Sequence, residues 1–171
     1  YTLIYWKPRE EGKYQIRFVP SAHEVTNDPF HEIMVHYGVG KFPILALTNW
    51  GEDDPIVDFT AKLRKTSEPE NWRLAKKLYP KMRVFAPVIV RGEEDKGVRL
   101  FEFSKTLYME LLSIADDEDY GDFTDVAAGF DFVVNATKVA DRPGFALSLR
   151  PKPKQTPLSK DAKEAENWLA N

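Results

Sequence analysis

Polar and apolar positions alternate strictly near the start of the chain. From Lys13 to Val19, Tyr14, Ile16 and Phe18 are separated by Gln15 and Arg17, the period of a half-buried strand, and Pro20 closes it. Phe30 to Tyr37 and Phe42 to Thr48 flank Gly38 and Gly40 and predict a hairpin. The period then changes. Asp54-Pro55 supplies an N-cap with proline at the first helical position, and Ile56, Phe59 and Leu63 recur at helical spacing, predicting a helix from Pro55 to about Lys65. Asn71 is a candidate cap for a second short helix carrying Trp72, Leu74, Ala75 and Leu78, ended by Pro80.

The second half repeats the strand period. Arg83 to Arg91 and Val98 to Phe103 form a predicted hairpin across the polar segment from Gly92 to Gly97. Ser104 caps a predicted helix to about Ala115, with Leu107, Leu111 and Ile114 on one stripe. Phe130 to Val139 and Phe145 to Leu149 are joined by the turn signal Asp141-Arg142-Pro143-Gly144. A basic, proline-bearing link follows, and Ser159 is the candidate cap of a terminal helix ending near Trp168, so residues 151–171 read as link and helix. The order is one strand, a long insertion, two hairpinned strands, a helix and two more hairpinned strands. That order predicts a mainly β protein with helices: a five-stranded OB-fold, a Greek-key barrel, with a large lobe inserted between the first and second strands at residues 21–81. No internal repeat is visible.

Composition bounds the picture without redirecting it. A chain of 171 residues with 43% hydrophobic content suits one domain carrying an elaboration. No apolar run reaches the ~18 residues of a membrane span and no leader pattern opens the chain, so the expectation is a soluble intracellular protein. It begins at Tyr1, which reads as an excised core. There is no cysteine, hence no disulfide and no thiolate metal site.

The net charge of −3 changes the question from how much charge to where it lies. Lys62, Arg64, Lys65, Arg73, Lys76, Lys77, Lys81 and Arg83 stand against only Glu68 and Glu70, whereas acids gather at 52–58 and 116–125. Segregation of this kind predicts a local basic patch able to steer a polyanion. Trp72 and Tyr79 bracket Arg73, Lys76 and Lys77. Alternation puts Arg83 and Phe85 on one face of a strand and Arg99, Phe101 and Phe103 on one face of the next. Rings beside guanidinium groups let a base stack while a phosphate is neutralised. Core packing is the competing reading for Phe101 and Phe103, and a solvated helix face is the competing reading for the basic run.

Several segments resemble the core of the gene-32 helix-destabilising proteins of T-even-type phages. They are Trp6-Lys7-Pro8 with Ile16-Arg17-Phe18-Val19-Pro20 and Pro29-Phe30; Val35-His36-Tyr37-Gly38; Trp72 to Lys77; Phe101 to Lys105 with Leu107-Tyr108; and Phe132-Val133-Val134 through Phe145. The resemblance implies sequence-independent binding and protection of single-stranded DNA during replication, recombination and repair in the host cytoplasm, with no enzymatic activity. It also implies an OB-fold whose lobe forms one wall of the DNA groove. Trp72, Phe85, Phe101 and Phe145 fall near the family's aromatic positions, and Lys76 and Lys77 on its basic triplet. A basic arm and an acidic tail, which give cooperative self-association on DNA and recruit replication proteins, are not expected within residues 1–171. The candidate DNA-binding set is therefore Trp72, Arg73, Lys76, Lys77, Tyr79, Lys81, Arg83, Phe85, Arg99, Phe101 and Phe145.

One departure concerns metal. The resemblance implies a structural zinc held by one histidine and three cysteines; His36 remains, but no cysteine accompanies it, so no cofactor is expected. The lobe is expected instead to be held by packing of Phe42, Leu45, Leu47, Trp50 and Phe59. Other readings fare worse. His31 and His36 are one residue too far apart for a helical zinc-hydrolase motif, and the segment 117–122 places its glycine one position early for a calcium loop. A protein-interaction OB domain and a two-metal nuclease using the clustered acids remain the alternatives.

Overall fold

A computed structural model describes residues 4–21, 28–140 and 143–170. Its elements in chain order are β1 (Tyr5–Trp6), β2 (Gly12–Phe18), β3 (His31–His36), β4 (Ile44–Leu45), α1 (Pro55–Arg64), α2 (Pro69–Leu78), β5 (Lys81–Val90), β6 (Arg99–Ser104), α3 (Lys105–Ala115), β7 (Gly129–Lys138), β8 (Phe145–Thr156) and α4 (Ala162–Ala170). The chain divides into two compact units, Tyr1–His31 with Val84–Asn171, and Glu32–Arg83.

The first unit is a twisted sheet in the order β1-β6-β5-β2-β7-β8. β2 lies antiparallel between β5, with Ile16 opposite Val90 and Phe18 opposite Val88, and β7, with Ile16 opposite Phe132. β1, which the sequence pattern did not disclose, pairs in parallel with β6. The protein is thus β-rich with helices, but it has more than the five strands expected, and among the described residues no ladder closes the path into a barrel.

Register explains the core. Ile16, Phe18, Val88, Val90, Phe132 and Val134 share the inward face and are buried with Phe101, Phe103 and Leu111. The Phe18 ring meets Phe30, Phe103, Phe123 and Phe132 at centroid distances of 5.3–6.4 Å, mostly edge to face. On the other side of the sheet, Val19 and Ile89 pack with Leu158, Ala165 and Trp168 beneath α4.

The outward face also holds a buried charge. Asp131 accepts from Gln15 Nε2 (2.6 Å), Arg91 Nε and Nη2 (3.0 and 2.9 Å), Thr156 Oγ1 (3.2 Å) and Arg17 Nη1 (3.5 Å). Burial pushes its carboxyl up, but the hydrogen bonds from Arg91 and Gln15 and the two guanidinium charges outweigh that and hold it below the ordinary carboxylate range. Arg17 Nη2 also donates to the Asp125 carbonyl (2.6 Å). A Cβ at Gly129 would sit within 2.6 Å of that nitrogen and of the Phe123 and Asp125 carbonyls, so only glycine fits.

Local signals explain most helix ends. The Asp54 side chain accepts from the Ile56 and Val57 amides at the start of α1, and Ser104 Oγ accepts from Leu107 N at the start of α3. Three expectations shift. α2 begins at Pro69, not after Asn71, because proline suits the first turn; Asn71 lies inside the helix and donates to Thr66 and Glu68. Asp161, accepting from Lys163 N, caps α4, and Ser159 sits two residues earlier, donating to Glu164. β8 continues past Leu149 through Pro151 and Pro153, since an edge strand tolerates residues without an N–H on its open side. Of the turn predicted before β8, Asp141 and Arg142 lie outside the described residues, while Gly144 has φ +96°.

Candidate nucleic-acid interface

The second unit holds the predicted basic segment. α2 buries Ala75 and half-buries Asn71 and Leu78, one stripe at helical spacing. The remaining faces are exposed. Trp72 and Lys76 stand one turn apart, as do Arg73 and Lys77, so a ring that is 55% exposed sits among three cations. The Lys77 stem passes over Gly38, whose φ is +75°; a Cβ there would lie 3.3 Å from Lys77 Cε. Tyr79 follows the helix, exposed, with the Arg64 guanidinium over its ring at 4.7 Å from the centroid. Arg64 was legible as charge in the sequence, but its stacking on Tyr79 was not. Lys81 is exposed at the start of β5 and Arg83 half-buried two residues on.

This unit is not held as expected. Phe42, Leu45, Leu47, Trp50 and Phe59 are all exposed, Phe42 by 70% and Trp50 by 62%. Small apolar residues, Val35, Ala46 and Ala75, are buried in their place, and polar groups link the elements. His36 is buried, with Nδ1 2.8 Å from the Leu78 carbonyl oxygen and Nε2 2.9 Å from Asp54 Oδ2, an ion pair when the imidazole carries both protons. The same Asp54 oxygen accepts from Leu47 N (2.8 Å), while Oδ1 caps α1. Burial pushes the Asp54 carboxyl up, yet His36 and the Leu47, Val57 and Ile56 amides hold it below the ordinary range. Asn49 exchanges hydrogen bonds with Met34 N and O (2.7 and 2.8 Å) and donates to Ala46 O. One aspartate and one histidine therefore tie the end of β3 to the starts of a 3-10 turn and of α1 and to the end of α2.

That arrangement does not fit a zinc ion. Both His36 nitrogens are engaged, and among the described residues no group of three or more His, Cys, Asp or Glu side chains converges as a metal site.

In the first unit, the predicted residues separate. Phe85 is half-buried on the outward face of β5 and meets Tyr5 edge to face at 6.2 Å, with Tyr5 itself 52% exposed. Tyr5 was missed, since a two-residue parallel strand leaves no periodic signal. Phe145 is half-buried at the start of β8, opposite Lys138. Phe101 is fully buried against Trp6 and Phe103, at 5.0 and 5.1 Å, and its ring faces are not open to a base. Arg99 is buried too, donating to Glu93 Oε2 (2.6 Å), so its charge is already paired. Arg99, Phe101 and Phe103 do share one face, as alternation requires, but that face is the core.

Among the described residues no helix is long and apolar enough to cross a membrane. No curated protein is matched by the chain. A family model described as "gp32 DNA binding protein like" matches residues 10–170, spanning both units and every element but β1. With nearly its whole length covered, the chain belongs to the gp32-like family of DNA-binding proteins.

Proposed function

We propose that this protein binds single-stranded DNA without base preference and protects it, without altering it, in phage DNA replication, recombination and repair inside the host cell. The observation that carries the reading is the exposed face of α2, where Trp72 stands with Arg73, Lys76 and Lys77 opposite a buried stripe. A ring gives any base a stacking surface, with each stacked base contributing about 1–3 kcal/mol, and lysines neutralise phosphates irrespective of sequence. Tyr79 with Arg64, and the Tyr5–Phe85 pair, supply further aromatic surface of the same kind. The strand order supports the finer fold reading as well. β6-β5-β2-β7-β8 is the neighbour order of an OB-fold's five strands opened between its third and fifth, with α3 between the third and fourth.

Titration of tryptophan fluorescence with mixed-sequence oligonucleotides across a salt series tests this. Affinity should fall steeply with salt, with a log-log slope of about −0.7 per neutralised phosphate, and duplex of the same sequence should bind weakly. Lys76→Ala with Lys77→Ala should flatten the slope by about 1.4. The strand should be recovered intact after incubation with magnesium. Absence of binding at low salt, or cleavage, overturns the reading.

A further inference from the structure

We infer that the edge strand β8 carries a second, phosphate-only track for nucleic acid, built from Arg150, Lys152 and Lys154. The inference rests on the DNA-binding reading but uses a surface in the first unit, separate from the α2 residues. All three side chains are exposed and occupy every second position of β8. Register places the first of them. Arg150 lies opposite Val133, which lies opposite Gln15, on the outward side of the sheet. Lys152 Nζ reaches across to Gln15 Oε1 (3.1 Å) and Thr156 Oγ1 donates to Asp131, so both ends of the run face outward, and Lys154 is exposed in the bulge between them.

Among the described residues no ion pair neutralises the row, although Glu94 and Glu164 line the neighbouring pocket with Gln15 and Thr156. The neighbouring outward positions of β7, Val133, Asn135 and Thr137, are uncharged, and no carboxylate of the described residues pairs with the three cations. Asp131, the nearest outward acid on β7, is saturated by Arg91, Gln15, Arg17 and Thr156. Three unpaired like charges within five residues of an edge strand make a local cationic strip complementary to the phosphates of a polyanion, even though the register with β7 shifts between Pro151 and Gln155. Trp168, which lines the neighbouring pocket with Gln15 and Thr156, is buried, so the contact is electrostatic and adds affinity without base preference.

Lysines and prolines on an edge strand also guard against edge-to-edge aggregation, and the test separates the two roles. The triple variant Arg150→Gln, Lys152→Gln, Lys154→Gln is titrated with a long dT oligonucleotide across a salt series, beside the wild type and the Lys76→Ala, Lys77→Ala variant. The expected result is a slope flatter by about 2, with an unchanged melting temperature. If the glutamine variant self-associates, the triple glutamate variant keeps a charged edge and is read in its place; it should stay monomeric and bind dT more weakly than wild type at every salt concentration. A slope within error of wild type, or a monomeric glutamate variant that binds as wild type does, overturns the track. So does loss of poly-glutamate binding with dT binding intact, which would assign the row to an acidic protein segment. Should the wild type itself fail to bind dT, the parent reading falls; should binding depend on Lys76 and Lys77 but not on the row, only this inference falls.

Discussion

The two units differ in where they put their large aromatic side chains. In the sheet unit, Phe18 sits at the centre of a cluster of four other phenylalanines, and Asp131, the single buried carboxylate among its described residues, is surrounded by two arginines, a glutamine and a threonine. In the unit from Glu32 to Arg83, the large aromatics Phe42, Trp50, Phe59 and Trp72 face solvent, and the elements are tied by His36, Asp54 and Asn49. A core of rings is insensitive to pH and salt. A clamp of one imidazole and one carboxylate has few members, each shared by several elements, so the loss of one is felt at all of them. The comparison also separates the two fates of aromatic residues in this chain: inside they set the fold, and outside they are free to meet a base.

The largest expected effect lies in the sheet unit. Asp131→Ala leaves Arg17, which is fully buried, and Arg91 without their counter-charge, and removing one partner of a buried pair costs about 3–5 kcal/mol. Urea denaturation at pH 7 should show that loss in the midpoint. A loss under 1 kcal/mol would mean that Arg17 is held by the Asp125 carbonyl alone and that the charge centre is dispensable.

His36→Ala should cost less, about 1–3 kcal/mol, because Asp54 keeps its bonds from Leu47, Ile56 and Val57 and is not stranded. The Leu78 carbonyl loses its partner, however, so the end of α2 loosens and single-stranded DNA affinity should fall although His36 touches no ligand. Acid reaches a buried carboxylate in each unit. Asp54 and Asp131 are both held below their unfolded value of about 3.9, so the stability they contribute is present above that pH and is lost as pH falls through the folded values. Thermal unfolding followed from pH 7 to pH 2 should decline only in the acid range, and Asp131→Asn should flatten that decline. A wild-type profile that stays level to pH 2 would remove both carboxylates from the account of stability.

These outcomes also mark what the sequence made legible. Asp54-Pro55 announced α1 because an N-cap acts over three residues, and the strand periods of β2, β5, β6 and β7 appeared because alternation is local. Alternation groups Arg99, Phe101 and Phe103 on one face but does not say whether that face is inside; the parallel partner β1 and the depth of the sheet decide it. Asp131 gave no signal between Phe130 and Phe132, since its partners Gln15 and Arg17 are 116 and 114 residues away. The lobe's clamp was hidden for the same reason, with His36 and Leu78 separated by 42 residues.

The smallest expected effect gives the sharpest test of the comparison. Trp50→Ser removes one of the largest apolar side chains of the second unit, and if apolar packing held that unit it would cost the ~3–5 kcal/mol of an aromatic deleted from a core. Its ring is mostly in solvent, while the neighbouring Asn49 makes the hydrogen bonds to Met34 and Ala46. The expected change is therefore within about 0.5 kcal/mol, as for a surface position, and DNA affinity should not move. Asn49→Ala, one residue away and far smaller in apolar area, should cost more, because it strands the Met34 amide, although the Met34 carbonyl keeps its bond from Ala46 N. If the order is reversed, and the tryptophan matters while the asparagine does not, then the second unit is built on apolar packing after all and the distinction between the two units is lost.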